Sequence, residues 1–170
     1  MAPKHKKRKL IVQDQLIVAG EDVTNKGMSL KTKKIDLVAS GILSGSVQDT
    51  GWDLPLTGYV LNVFLKVVTA EATGSTKTID VGLLNAVESG VEDGFLNNVP
   101  VNTTGLKKGT LLSSGQTLGS YLRVDESGAG VLVPEPHVLN GVAKSVCWTM
   151  PAANWVEFVG ELYIIYAEID

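Results

Sequence analysis

From residue 35 onward no window of the chain holds apolar residues at i, i+3, i+4 and i+7 over three turns. Its apolar residues come instead in short segments of near-two period, broken by Gly, Ser, Asn, Asp and Pro. Helix is therefore a minor component, and strand pairing is the way left to satisfy a buried backbone. Thr57 to Ala70 carries Tyr59, Leu61, Val63, Leu65 and Val67 on one parity and Val60, Phe64 and Val68 on the other. Such a strand is covered on one face and partly covered on the other. After Ala72-Thr73-Gly74-Ser75, Thr76 to Leu84 alternates Ile79, Val81 and Leu83 against Thr78, Asp80 and Gly82, and the two segments read as a hairpin.

Further strands are expected at Lys34 to Leu43, Gly119 to Val124, Gly130 to Val133, Gly141 to Thr149 and Trp155 to Ile169, with Leu83 to Ser89 as the one helical candidate. About seven or eight strands without βαβ alternation favour an all-β fold, a β-sandwich or jelly roll. In the last segment Val156, Phe158, Leu162, Ile164 and Tyr166 share one parity, while Trp155, Val159, Tyr163 and Ile165 share the other with Glu157 and Glu161. A strand apolar on both faces is central in its sheet or sealed by another subunit. Trp155, Val159, Tyr163 and Ile165 are accordingly the candidate oligomer interface.

Charge divides the 170 residues unevenly. Residues 1 to 34 hold nine basic and three acidic side chains, net +6, and the other 136 hold six basic and 15 acidic, net -9. The run Lys4, Lys6, Lys7, Arg8 and Lys9 is followed by two apolar runs, Leu10, Ile11 and Val12, then Leu16, Ile17 and Val18 with Ala19. A charge block of this kind stays solvated until it meets an anionic surface. Residues 1–30 read as a basic N-terminal arm whose apolar runs can add to a sheet edge of another protein, and residues 31–170 as the sandwich domain.

Little here points to catalysis. One Cys and two His allow neither an intrachain disulfide nor a cysteine zinc cage, and a histidine site would rest on His137 alone. Cys147, beside Trp148 in an apolar strand, reads as a small buried hydrophobe, and His137, next to Pro136 and Glu135, as a surface residue. Glu88, Glu92 and Asp93 lack the ligand spacing of a calcium loop, and Asp80 reads as a sheet-surface or capping carboxylate. Gly105 to Thr110 lacks the spacing of a phosphate loop. The expectation is a non-enzymatic protein without metal or cofactor. There is no apolar run long enough to span a membrane and no secretory leader, so neither membrane attachment nor export by that route is expected.

Thr57 to Ala70, then Lys77-Thr78-Ile79-Asp80-Val81-Gly82-Leu83-Leu84, then Glu92-Asp93-Gly94-Phe95-Leu96-Asn97-Asn98-Val99 together resemble the head decoration, or cementing, proteins of tailed bacteriophages. The closing Gly160-Glu161-Leu162-Tyr163-Ile164-Ile165-Tyr166 fits the same style. The resemblance covers residues 57 to 99 and implies a β-sandwich or jelly-roll body, a homotrimer, a major capsid protein as partner and a place on the outer surface of the virion. The basic arm is not matched to the family, so its role rests on charge. Two other readings stand beside it: a small jelly-roll coat protein whose arm binds nucleic acid, and a carbohydrate-binding module stacking sugars on Trp52 or Trp155.

Overall fold

The computed structural model describes residues 28–39, 42–43, 45–72, 77–84, 91–111, 117–125, 132–141, 144–150 and 155–169. Within them the strands are β1 (Met28–Val38), β2 (Val47–Asp53), β3 (Thr57–Thr69), β4 (Thr78–Leu84), β5 (Leu96–Pro100), β6 (Gly105–Lys108), β7 (Arg123–Asp125), β8 (Leu132–Pro134), β9 (His137–Asn140), β10 (Ser145–Thr149) and β11 (Val159–Ile169). The only helical element among the described residues is a single 3-10 turn, Ser120–Leu122. The fold is all-β, as the near-two period implied.

Sheet A has the order β1-β11-β3-β6, with β9 also paired to β3, and sheet B the order β2-β10-β4-β5; β7 and β8 form a separate ribbon. Every pairing is antiparallel. Leu37, Val63, Leu65, Val67, Leu162 and Ile164 of sheet A and Ile79, Val81, Leu83, Val146 and Trp148 of sheet B belong to one buried cluster. The two sheets therefore face each other as a sandwich, each burying alternate residues of its strands.

The expected hairpin of β3 and β4 does not form. β3 pairs with β11, β6 and β9, while β4 pairs with β10 and β5. Each segment has one strongly apolar face, and burying both is achieved by placing them in opposite sheets, with distant strands supplying the hydrogen-bonded neighbours. Glu71 N–H donates to the Val101 carbonyl and Val101 N–H to the Lys77 carbonyl, so the crossing chain is tied down on either side of residues 73–76.

The face of β3 also differs from its parity. Asn62 lies opposite Ile165 and Val60 opposite Tyr166, so Leu61 is an extra residue on β3. This bulge reverses the phase of everything before it: Val60 is fully buried, while Tyr59 and Leu61, which share the parity of the buried Val63, are exposed. Expected boundaries move as well. β1 starts at Met28, Gly119 to Leu122 is turn, and in the stretch expected from Gly141 to Thr149, Gly141 is a bend after β9 and strand starts only at Ser145. Strands β2, β5, β6 and β9 had no expectation attached to them. Leu83 and Leu84 end β4, and the remainder of the helical candidate lies outside the described residues.

The terminal strand is central, flanked by β1 and β3, and starts only at Val159. Before it, Trp155 to Phe158 is a loop held by Glu71, whose Oε2 accepts from the N–H groups of Val156, Glu157 and Phe158, each at 3.1 Å. Glu71 is buried, and its carboxylate lets three irregular N–H groups leave water. Trp155 stacks edge-on to Phe158 at 5.2 Å, and Phe158 lies 6.2 Å from Trp148.

Candidate interaction surface

With β11 central and one side of sheet A facing the core, the alternate residues form an outer face. In β11 these are Val159, Glu161, Tyr163 and Ile165, all half-buried. Cross-strand partners share a face, which places Lys34 and Phe64 beside Tyr163, Thr32 beside Ile165, and Leu106 beside Lys66. Thr32, Phe64, Lys66, Leu106, Tyr163 and Ile165 line a shallow, mainly apolar cleft of about 310 Å³.

Three of the four candidate interface residues, Val159, Tyr163 and Ile165, thus lie on one outer face. The fourth does not: Trp155 is 1% exposed, because the Glu71-held loop turns its ring into the core before the strand parity starts. The same burial removes Trp155 as a sugar-stacking residue. Trp52 is half-buried, packed 5.6 Å from Tyr166 with Lys33 Nζ 5.6 Å from its ring, and closes the gap between the sheets.

The centre of the outer face is an ionic cluster. Glu161 receives Lys34 Nζ at 2.8 Å, Lys66 Nζ at 2.8 Å and the Tyr163 hydroxyl at 2.9 Å, and Lys34 also meets Asp36 at 3.0 Å. Lys34, Lys66 and the Tyr163 hydroxyl hold the Glu161 carboxyl down at about 2. Because the folded value lies below the ordinary 4.5, the stabilisation is complete above about 4.5 and is lost as pH falls through about 2. Carbon-detected NMR of the side-chain carboxyl is expected to show Glu161 still ionised at pH 3; a midpoint near 4.5 would mean the cluster does not persist in solution. Salt screens these exposed pairs, so they shape the face more than they stabilise the fold.

The residues singled out for chemistry fall elsewhere and apart from one another. Cys147 is buried in β10 opposite Gly82, with its thiol pushed up to about 12 by burial, which suits the small hydrophobe expected from the sequence. His137 is not a plain surface residue: it stacks on Tyr121 at 4.4 Å and meets Phe95 edge-on at 5.9 Å. Burial, with Lys144 nearby, lowers its pKa. Asp80 accepts the Asn98 N–H at 2.6 Å, capping a residue with φ of 51°; burial raises its pKa. No group of three or more His, Cys, Asp or Glu among the described residues can hold a metal ion, and Glu88 lies outside them. No described helix is long and apolar enough to cross a membrane. The arm residues, Lys4 to Lys9, Leu10 to Val12 and Leu16 to Val18, also lie outside the described residues.

The class so defined is an antiparallel two-sheet β-sandwich with one broad, partly apolar outer sheet face. No protein-family model matches the sequence, and no curated protein matches it. Among solved structures the fold is similar to a chain of the cyanophage Pam1 capsid asymmetric unit, with a TM-score of 0.51 and 16% identity over 95% of this chain and 99% of that chain. A chain in the acid-stable capsid structure of Helicobacter pylori bacteriophage KHP30 aligns with a TM-score of 0.47 and 20% identity, over 85% of this chain and 92% of that one. At 16% identity the Pam1 likeness is one of fold.

Proposed function

We propose that this chain is a structural protein of a tailed-bacteriophage virion, a head decoration protein that binds the outside of the major capsid shell and braces it. The observation that carries the reading is the fold likeness to a chain of the Pam1 capsid, which spans 95% of this chain and 99% of that one. The sequence resemblance over residues 57 to 99 points the same way independently. In this reading the protein is a homo-oligomer, a trimer. It works without catalysis or cofactor, through apolar burial and strand or arm addition.

The arm supplies attachment. Lys4, Lys6, Lys7, Arg8 and Lys9 oppose in sign the net -9 of residues 35 to 170, and they precede the first body strand by almost twenty residues. Their attraction to an anionic shell adds to binding without contributing to folding, and Leu10 to Val12 and Leu16 to Ala19 dock as an added strand. The test is addition of purified protein to shells that lack it. Full-length protein is expected to bind, and deletion of residues 2 to 9 to weaken binding while leaving the melting temperature nearly unchanged. Since exposed charges are screened beyond roughly 8 Å at physiological salt, the loss is expected to be largest at low ionic strength. No binding by the full-length protein would overturn the decoration role; equal binding of both forms at low salt would reduce the arm to a passive tail.

A further inference from the structure

We infer that the outer face of sheet A is the contact through which a second copy of this chain binds. The inference deepens the homo-oligomeric reading above and rests on it, but it does not depend on the particle. Its basis is a set of large apolar side chains left exposed around the ionic cluster of this face. Leu30 is 69% exposed, Leu106 68%, Val138 59% and Val38 53%. Register places all four on this face: Leu30 opposite Ala167, Val38 opposite Val159, Val138 opposite Tyr59, which itself faces Ala167, and Leu106 opposite Lys66. Phe64, Tyr163 and Ile165 lie between them around the cleft. Scattered exposed hydrophobes are ordinary, whereas a contiguous set marks a contact site.

Size and charge select the occupant. β1 and β11, of 11 residues each, and β3, of 13, with the short β6 and β9 sharing the fourth position, give a face on the order of 600 Å² at about 3.3 Å per residue and about 4.8 Å per strand. That approaches the roughly 800 Å² each partner contributes to a standard interface. The face carries Lys34, Lys66 and Lys108 against Asp36 and Glu161, and Lys34, Lys66, Asp36 and Glu161 already pair within the subunit. A face this close to neutral has no preference for a strongly charged partner and does not repel a neighbouring copy, whose other surface meets it in the heterologous contact of a cyclic trimer. The net charge of the chain lies elsewhere, in the arm and the rest of the body.

Leu106 is the anchor. It stands beside the cleft on the short edge strand β6, and its exposure means that the isolated subunit gains little from it. Light scattering and sedimentation across a concentration series are expected to show the full chain as a homo-oligomer. Leu106→Glu should raise the dissociation constant about 30-fold or more, the effect of a hot-spot residue, with an unchanged far-ultraviolet spectrum. Val138→Glu should act in the same direction, and Leu43→Glu, in the connection between β1 and β2, should leave the mass unchanged. A wild-type monomer at every concentration, or an oligomer indifferent to both Leu106→Glu and Val138→Glu, would overturn the inference. So would a monomer that oligomerises once residues 2 to 19 are deleted, since the arm would then be the occupant. Shell addition separates the two readings: a monomer that still binds shells refutes this contact and leaves the decoration role standing.

Discussion

Glu71→Ala is expected to destabilise the fold by about 4 kcal/mol, because hydrogen bonds to a charged group contribute roughly 1.5 to 3 kcal/mol each and three share this carboxylate without adding fully. The N–H groups of Val156, Glu157 and Phe158 would lose their common acceptor. The Phe158 N–H is buried and cannot recover its bond from water at no cost. The loop it belongs to also carries Trp155 and Phe158, 1% and 0% exposed, so loosening it disturbs the aromatic core. For a chain of this length each kcal/mol shifts the melting temperature by about 2 to 4 °C, giving a drop of roughly 8 to 16 °C. Denaturant unfolding with Glu71→Gln as the second variant checks the cause. The amide keeps one acceptor oxygen without the charge and should fall between wild type and alanine. A loss below about 1 kcal/mol for Glu71→Ala, the ordinary effect of a substitution, would show that the loop is held by its aromatic packing alone.

Gly82→Ala is expected to be nearly as damaging, although it adds a single methyl group. A Cβ on Gly82 would meet the Val91 carbonyl oxygen at 2.0 Å and the Glu92 carbonyl carbon at 2.6 Å. These are backbone atoms, and they are held in place: Leu83 N–H and Gly94 N–H both donate to the Val91 carbonyl, and Phe95 N–H to that of Val81. To admit the methyl, the Val91–Gly94 turn must lift off β4, which uncovers Cys147 on the neighbouring strand. Overpacking of this kind costs about 3 kcal/mol. Calorimetry should show the loss, and reaction of Cys147 with a thiol reagent under native conditions should speed up. A variant as stable as wild type would mean that the turn is free to move.

Both residues were on the page in the sequence, and neither could be read there. Gly82 appeared as the polar-parity member of an alternating strand. What makes a glycine necessary is the approach of a backbone nine residues further along, which no local pattern reports. Glu71 stands between the apolar segment Thr57 to Ala70 and the turn that begins at Ala72, and carried no reading of its own. Its partners lie 85 to 87 positions away in a segment that itself read as strand. The only local signal was a lone acid at the end of a long apolar run, which is common where nothing is buried.

The outer face of sheet A was partly legible. Val159, Tyr163 and Ile165 share a parity in any straight strand, so their common face follows from period two alone. Trp155 has the same parity but precedes the strand, and an irregular loop does not carry parity forward. Tyr59 departs from the parity of Val63 for a related reason: one extra residue at Leu61 reverses the face of all that lies before it in β3. Leu106 and Val138 join the face only because β6 and β9 dock along β3, a choice made by long-range pairing.

What the sequence by itself determined is whatever depends on spacing along the chain: an all-β fold, the apolar faces of its long strands, the burial of Cys147, and a basic terminal segment set against an acidic remainder. What only the tertiary structure decided is which strands neighbour one another, including the separation of β3 from β4, and the places where the chain meets itself at a distance. A two-residue period states that a strand has an inside and an outside. It does not state which other strand lies across the sandwich, because the burial of an apolar face is nearly indifferent to which apolar face covers it. That choice falls to bulges, close backbone approaches and single buried polar groups, whose energies arise only once distant segments are in contact.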